Sequence, residues 1–291
     1  MAKKREFVRH GVVGSPAVWY NKDSKKRRAA LRQAGAALWL PSGGEGARPE
    51  RGKGSLMQMA GEQGQGQFSR NLPLLGQEGE DRLRAAHVAV FGLGGVGSYA
   101  AEALARAGVG TLTLVDADVV ELSNLNRQLV AMHSTVGQKK ALVMARRVQD
   151  ICPDTKVVPR PVFFDGQTAD TFDFSAFDYV VDAIDSVEAK VQLILHAQAE
   201  GVPIVSSMGT GNKLDAGALM VADIYETSVC PLARVMRRRL REQGVTSLRV
   251  VYSRELPRHC GCGAPASAPH VPPVAGMLLA GEVILDLAHA R

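Results

Sequence analysis

The chain has 291 residues, of which 46% are apolar and 22% charged, a composition typical of a globular protein. Its formal net charge of +6 is unevenly distributed, because residues 1–56 hold 13 Lys and Arg against 4 Asp and Glu. The other 235 residues hold 22 basic against 25 acidic side chains, so the overall charge does not indicate that the body of the chain binds nucleic acid.

The N-terminal residues 1–66 are predicted to form a basic, low-complexity, disordered tail, because they lack sustained apolar periodicity. Their basic run at residues 22–32 is expected to be solvated, with a contact to nucleic acid as the alternative. A further alternative is that translation begins at Met57 or Met59. No secretory signal and no uncharged apolar run of about 18 residues is evident, and cysteines are few. The sequence therefore predicts a cytoplasmic protein without membrane contact.

The remaining residues, 67–291, are predicted to form one α/β domain, since strands and helices alternate. This alternation predicts a Rossmann-like, mostly parallel sheet flanked by helices, with right-handed crossovers and antiparallel strands toward the C-terminus. Strands are expected at residues 88–91, 111–115, 156–159, 179–182, 203–207, 218–224 and 248–252. Helices are expected at residues 96–107, 138–150, 187–200, 231–243 and 274–288.

A glycine-rich turn follows the first predicted strand and contains Gly92, Gly94, Gly95 and Gly97. Such glycines let backbone N–H groups approach a phosphate at the positive end of the next helix. Asp116, which ends the second strand, can accept a hydrogen bond from a ribose hydroxyl. The turn predicts a nucleotide site, and by itself it fits enzymes that use NAD, FAD, S-adenosylmethionine or ATP.

Polar residues downstream narrow this choice to ATP. An enzyme that cleaves ATP between its α and β phosphates needs cations for the charge that develops there and a carboxylate for Mg²⁺. A hydride-transfer enzyme needs neither. The cations are Arg127 and Lys140, the carboxylates are those of Asp118 and Asp185, and the accompanying polar residues are Asn124, Asn126 and Ser186.

Each of the charged residues also has a purely structural interpretation. Lys140 could be a solvated helix charge, and Arg127 could form a surface ion pair of little consequence. Asp185 could cap the helix that follows it, with or without binding metal. Asp118 could simply stabilise its loop.

The order of these motifs resembles that of the E1-like, ubiquitin-activating-type adenylating enzymes, from residue 68 to the C-terminus. The resemblance implies catalytic roles for Arg127, Lys140 and Asp185, the last of these binding Mg²⁺. It also implies that Arg70 reaches across a homodimer to the partner's ATP. With the polar residues Asp118, Asn126 and Ser186 added, the predicted ATP-binding residues are Gly92, Gly94, Gly95, Gly97, Asp116, Asp118, Asn124, Asn126, Arg127, Lys140, Asp185 and Ser186.

Cysteine usage separates the branches of that family. Its sulfur-carrier enzymes usually hold a structural zinc with two C-x-x-C pairs, whereas this chain has only Cys260-Gly261-Cys262 besides Cys152 and Cys230. A four-thiolate zinc site is therefore not expected. Cys230 lies directly before a predicted helix, where a thiol pKa falls. A reactive thiol and a small buried apolar residue are the two interpretations, and the second is favoured.

The helix at residues 231–243 carries five arginines and no acid before Glu242. Its apolar face is predicted to contain Leu232, Val235, Met236 and Leu240. An ordinary solvated face is one interpretation of the opposite side, and binding of tRNA phosphates is the other. The candidate tRNA-binding residues are Arg234, Arg237, Arg238 and Arg241.

With the segments at residues 209–215, 227–234 and 271–277, this helix resembles the tRNA threonylcarbamoyladenosine dehydratases, which are E1-like enzymes. The resemblance implies ATP-dependent cyclisation of the modified adenosine 37 of tRNA through an acyl-adenylate, with AMP and pyrophosphate released. Partners would be tRNA, a second copy of the chain and possible sulfur-transfer proteins. The main alternative is an adenylyltransferase for a ubiquitin-like sulfur carrier; a non-catalytic binding protein and an NAD-dependent oxidoreductase are weaker ones.

Overall fold

The computed structural model describes residues 66–259, 261 and 265–289. A seven-stranded sheet has the order β3-β2-β1-β4-β5-β7-β6, and only β6 runs antiparallel, against β7. The order of the first five strands is that of a doubly wound nucleotide-binding sheet, whose ligands bind at the carboxyl ends where the order reverses. The strands are β1 (His87–Phe91), β2 (Thr111–Val115), β3 (Lys156–Arg160), β4 (Tyr179–Asp182), β5 (Ile204–Ser207), β6 (Leu219–Asp223) and β7 (Arg249–Ser253).

Helices cover both faces of the sheet. Side chains of β1 alternate between two cores, with Val88 and Val90 in one and Ala89 and Phe91 in the other. This alternation follows from the period of two in a strand. The helices are α1 (Leu72–Ala85), α2 (Gly97–Arg106), α3 (Lys140–Ile151), α4 (Val187–Ala199), α5 (Pro231–Glu242) and α6 (Val271–Ala288). The first core includes residues of α1, α2, α3 and α6, and the second includes residues of α4 and α5.

The predicted α/β class and the mostly parallel sheet are confirmed, whereas one helix was missed and several element bounds differ by one to three residues. The sequence did not predict α1, which is interrupted at Gly76, where φ is +70°. A glycine inside a short apolar pattern is a weak helix signal, so periodicity missed it. In addition, the strand expected from residue 218 begins at Leu219, after the 3₁₀ turn Ala216–Ala218. The predicted tail, apart from Gly66, lies outside the described residues.

The last helix, α6, is long and apolar enough to cross a membrane, judged by length and composition alone. It lies against α2 so closely that a Cβ at Gly276 would be 2.2 Å from the carbonyl oxygen of Val96. Tyr179 at the start of β4 donates a hydrogen bond to Asp286 over 3.0 Å. These contacts are those of a helix packed on the sheet and on α2.

Candidate functional site

The glycine turn joins β1 to α2 at the carboxyl end of the sheet. Gly92 has a φ of +86°, and a Cβ there would lie 2.6 Å from the carbonyl oxygen of Ala183, the residue after β4. A Cβ at Gly97, the first residue of α2, would lie 1.8 Å from the carbonyl oxygen of Gly92. No side chain fits at either position, so these glycines are needed for the turn to close. The turn leaves the N-terminus of α2 beside the end of β4, where backbone N–H groups favour an anion.

The middle glycines of the turn have different surroundings. A Cβ at Gly94 would meet only the Gln128 amide nitrogen, at 3.7 Å. One at Gly95 would lie 3.0 Å from Pro272 Cβ and 3.4 Å from Arg127 Cγ. Gly95 therefore allows the start of α6 and the side chain of Arg127 to approach the turn, while the space beside Gly94 stays open.

Asp116 follows β2 and supports the turn from the side. One carboxylate oxygen accepts the backbone N–H of Leu93 over 2.7 Å, and the other accepts that of Asp118 over 2.8 Å. Burial raises the pKa of Asp116, and the nearby Lys140 ammonium opposes this shift. The carboxylate is thus fixed at the edge of the turn, where the sequence predicted a ribose contact.

Lys140 is the first residue of α3, and its side chain is only 7% exposed. Its Nζ lies 2.9 Å from Asp118 Oδ2, and its backbone N–H donates to the Asp118 carbonyl over 3.0 Å. The interpretation of Lys140 as a solvated helix charge is therefore wrong. Asp118 is about half exposed, so the ammonium is held in place by a carboxylate at the surface.

Arg127 lies in the loop between β2 and α3, half-buried beside the turn. Its Nη1 donates to the Ser123 carbonyl over 3.0 Å and to Asn126 Oδ1 over 2.9 Å, and it forms no ion pair with a described residue. The surface ion-pair interpretation is therefore wrong. Asn126 in turn donates to the Ser267 carbonyl over 2.9 Å. Asn124 is buried, and its Oδ1 accepts the Glu121 N–H over 3.2 Å, so here its side chain closes the loop.

Asp185 is exposed and makes no hydrogen bond or ion pair with any described residue. The N-cap of α4 is Ser186, whose Oγ accepts the Ala189 N–H, so the interpretation of Asp185 as the cap is wrong. No group of three or more His, Cys, Asp or Glu that could hold a metal occurs among the described residues. The free carboxylate of Asp185 near the glycine turn nevertheless fits a Mg²⁺ site, because Mg²⁺ takes one or two carboxylates together with phosphate and water oxygens.

A buried ion pair below Asp185 was missed by sequence reasoning. Lys190 Nζ lies 2.9 Å from Asp182 Oδ2, and both side chains are completely buried. Ser206 on β5 donates a hydrogen bond to the same oxygen. The available signal was an Asp that ends an apolar strand together with a Lys between the apolar positions Ala189 and Val191 of α4.

Arg70 is exposed and precedes α1. Its neighbour Asn71 donates to the Arg106 carbonyl at the C-terminal end of α2 over 3.4 Å. Because α2 has 10 residues, this end is about 15 Å from the glycine turn. Arg70 is thus remote from the turn of its own chain, and its reach into a partner subunit stays a prediction.

The arginines of helix α5 differ in their contacts and in their exposure to solvent. Arg237 donates to the Thr227 carbonyl over 2.9 Å, and Arg239 pairs with Glu188 on α4 at 2.6 Å. The guanidinium of Arg241 lies 5.1 Å from the centre of the Tyr225 ring. Arg238 is exposed and 3.9 Å from Glu242, whereas Arg234 is exposed and makes no contact of this kind with a described residue.

The buried side of α5 consists of Ala233, Met236 and Leu240. The prediction that Val235 belongs to it is wrong, because this side chain is 38% exposed. Cys230, just before the helix, is 2% exposed, which agrees with a buried apolar role. Cys260 and Cys262 lie outside the described residues.

Two kinds of known enzyme are similar in sequence to this chain. A tRNA threonylcarbamoyladenosine dehydratase of Bacillus subtilis is 41% identical over 239 residues, which are 76% of this chain and 94% of that protein. The Escherichia coli protein of the same name is 39% identical over 60% of this chain and 65% of that one. A sulfur carrier protein adenylyltransferase of Thermus thermophilus is 38% identical over 46% of this chain and 49% of that protein.

Solved structures of the E. coli dehydratase are also similar to this chain. The crystal structure of the E. coli tRNA N6-threonylcarbamoyladenosine dehydratase in complex with ATP matches with a TM-score of 0.72 and 33% identity. The match covers 77% of this chain and 94% of that one, and the complex with AMP matches with a TM-score of 0.73. The model of the ThiF family matches residues 68–284. The chain therefore belongs to the ThiF family, and its glycine turn, Arg127, Lys140 and unpaired Asp185 lie at the carboxyl end of the sheet.

Proposed function

We propose that this protein is an ATP-dependent tRNA threonylcarbamoyladenosine dehydratase. The observation that carries the proposal is the position of three groups of different chemistry around one glycine turn. A free carboxylate, a buried ammonium and a tethered guanidinium lie there, on Asp185, Lys140 and Arg127. This is the set that adenylation needs, and the B. subtilis relative with this name matches over 94% of its length.

In the first step, a carboxylate oxygen of the tRNA base attacks the α-phosphate, and the bond to pyrophosphate breaks. The α2 N-terminus binds the phosphates, and Asp116 orients the ribose. Lys140 and Arg127 stabilise the negative charge that develops on the phosphate oxygens, because both cations are already fixed. Asp185 would hold Mg²⁺, which neutralises phosphate charge when bound.

In the second step, an atom of the neighbouring carbamoyl group attacks the activated carbonyl, and the carbamoyl group gives up a proton to solvent. The carbonyl–AMP bond breaks, and AMP departs with the former carboxylate oxygen. The net change in the base is the loss of water. Intramolecular closure has a high effective molarity, so the step needs no enzyme thiol. The burial of Cys230 is consistent with a mechanism without an enzyme thioester.

We propose tRNA as the partner, bound through the exposed arginines of α5. Arg234 and Arg238 have the freest guanidinium groups, and Arg241 lies on the Tyr225 ring. Arg237 and Arg239 are occupied by Thr227 and Glu188. A homodimer in which Arg70 reaches the other subunit's ATP, sulfur-transfer partners and a cytoplasmic location belong to the same proposal.

Release of AMP tests this function against its rival. The protein is incubated with ATP, Mg²⁺ and either tRNA that carries threonylcarbamoyladenosine or a sulfur carrier with a Gly-Gly C-terminus. Unmodified tRNA serves as the control. We expect AMP release and loss of water from the base only with the modified tRNA. Release with the sulfur carrier alone would establish the adenylyltransferase alternative, and no release with either would contradict both.

A further inference from the structure

The buried pair of Asp182 and Lys190 has no evident purpose in stability. Both side chains are completely buried, with 2.9 Å between Lys190 Nζ and Asp182 Oδ2. Removing two charges from water is costly, and well-packed apolar residues of similar volume often give equal or greater stability. The reason for the pair is therefore to be sought in what its remaining polar atoms bind.

Those atoms bind the backbone of one residue, Ile184. Asp182 Oδ1 accepts the Ile184 N–H over 3.1 Å, and Lys190 Nζ donates to the Ile184 carbonyl over 2.8 Å. Both backbone polar groups of Ile184 are thus fixed by the pair. The next residue is Asp185, the exposed carboxylate, and after it Ser186 begins the capped α4. Asp185 is consequently held on both sides without any contact to its own side chain.

The same segment is fixed to the glycine turn. The Ala183 N–H donates to the Phe91 carbonyl over 2.8 Å. The Ala183 carbonyl oxygen lies only 2.6 Å from the position that a Cβ on Gly92 would take. A displacement of Ile184 would therefore move Asp185 relative to the turn that is to hold the phosphates.

We propose that Asp182, Lys190 and Ser206 are positioning residues that place Asp185 for joint binding of Mg²⁺ and ATP. The inference rests on the proposed function, since it takes the glycine turn as the ATP site. The three residues act through the Ile184 backbone and do not contact nucleotide. They set how strongly Mg²⁺ tightens ATP binding, and they leave metal-free ATP binding nearly unaffected.

Four variants separate these effects. Removal of one charge leaves the other buried and unpaired, which endangers folding, so the main variant is the double substitution Asp182→Asn with Lys190→Met. Ser206→Ala removes one hydrogen bond to Asp182 and keeps both charges. Ser207→Ala is the matched control, because this adjacent buried serine donates to the Met208 carbonyl instead. Asp185→Asn removes the carboxylate that would bind Mg²⁺, and it shows how far the Mg²⁺-dependent tightening of ATP binding falls when that ligand is lost completely.

The measurement is calorimetric titration of ATP into the full chain without tRNA, once with Mg²⁺ and once with EDTA. Circular dichroism verifies folding. We expect the Mg²⁺-dependent tightening to fall about tenfold in the double variant and about threefold in Ser206→Ala, as for other groups that orient a metal ligand. Affinity in EDTA should change by less than about twofold, and Ser207→Ala should behave as wild type.

Each outcome decides the proposal. An undiminished Mg²⁺ effect in the folded double variant overturns the positioning role alone. An equal loss with and without Mg²⁺ also overturns it, because that pattern indicates general damage to the site. If the double variant does not fold, equal values for Ser206→Ala and Ser207→Ala overturn it. The proposed function at this site is overturned as well if the wild-type protein does not bind ATP, or if its affinity for ATP does not depend on Mg²⁺.

Discussion

The basic groups beside the glycine turn and two of the five arginines of α5 differ in how firmly they are held. Lys140 is 7% exposed and paired with Asp118, and Arg127 is bound to the Ser123 carbonyl. On α5, by contrast, Arg234 and Arg238 are exposed and nearly free. Fixed cations suit the stabilisation of one transition state, whereas loosely held ones suit a polyanion whose contacts are individually weak. The two regions should therefore respond differently to substitution and to salt.

The largest effect is expected from the fixed cations. Lys140→Ala and Arg127→Ala should each lower the rate of AMP formation by about 10²-fold or more, because a preorganised charge at the phosphates is lost. The rate is measured under saturating ATP and tRNA, with the melting temperature as a check of folding. Lys139→Ala is the matched control, since this neighbouring lysine is exposed and donates to the Ala117 carbonyl. A wild-type rate of AMP formation in either Lys140→Ala or Arg127→Ala would contradict the assignment of these residues to the ATP site.

A second, smaller effect is expected on α5. Replacing Arg234 and Arg238 by Gln should raise the KM for tRNA and reduce the slope of log affinity against log salt by about one to two. The KM for ATP should hardly change, because the glycine turn does not use these side chains. Arg146→Gln on α3 is the control, an exposed arginine that donates to Gln138. Unchanged tRNA binding together with a weaker dimer would mean that these arginines serve a subunit interface.

The glycine-turn region and α5 also differ in how much of their structure could be predicted from the sequence. The glycine turn, Lys140 and Asp185 could be proposed from the sequence because ATP chemistry requires these residue types and because their order along the chain resembles that of the E1-like enzymes. The contacts that support them could not be proposed: Asp118 pairs with Lys140 across 22 residues, and below Asp185 Ser206 donates a hydrogen bond to Asp182 across 24. On α5, the sequence showed five arginines but not that Thr227 and Glu188 occupy two of them. Tertiary contacts decide which charges are free, and periodicity carries no information about them.

Cys230 should matter less than either set of cations. Cys230→Ser should keep tRNA dehydration within about threefold of wild type, because closure of the adenylate is intramolecular and needs no thiol. Some loss of stability is expected, since the thiol is 2% exposed and a hydroxyl there would be buried. AMP release and mass spectrometry for a thioester are the measurements. Complete loss of activity, with a thioester trapped on the wild-type protein, would favour the sulfur-carrier alternative.

The smallest effect is expected from deletion of residues 1–56, although they carry 13 of the 35 basic residues. Their composition offers no apolar core, so the melting temperature should change by less than about 2 °C. AMP formation at physiological salt should stay near wild type, because productive binding is assigned to α5. The salt dependence of tRNA binding makes this test sharp. The deletion could reduce the slope of log tRNA affinity against log salt more than the Arg234 and Arg238 substitutions do. In that case the tail, rather than α5, binds the RNA phosphates. The contrast between fixed and free cations would then extend beyond the sheet to the N-terminal segment.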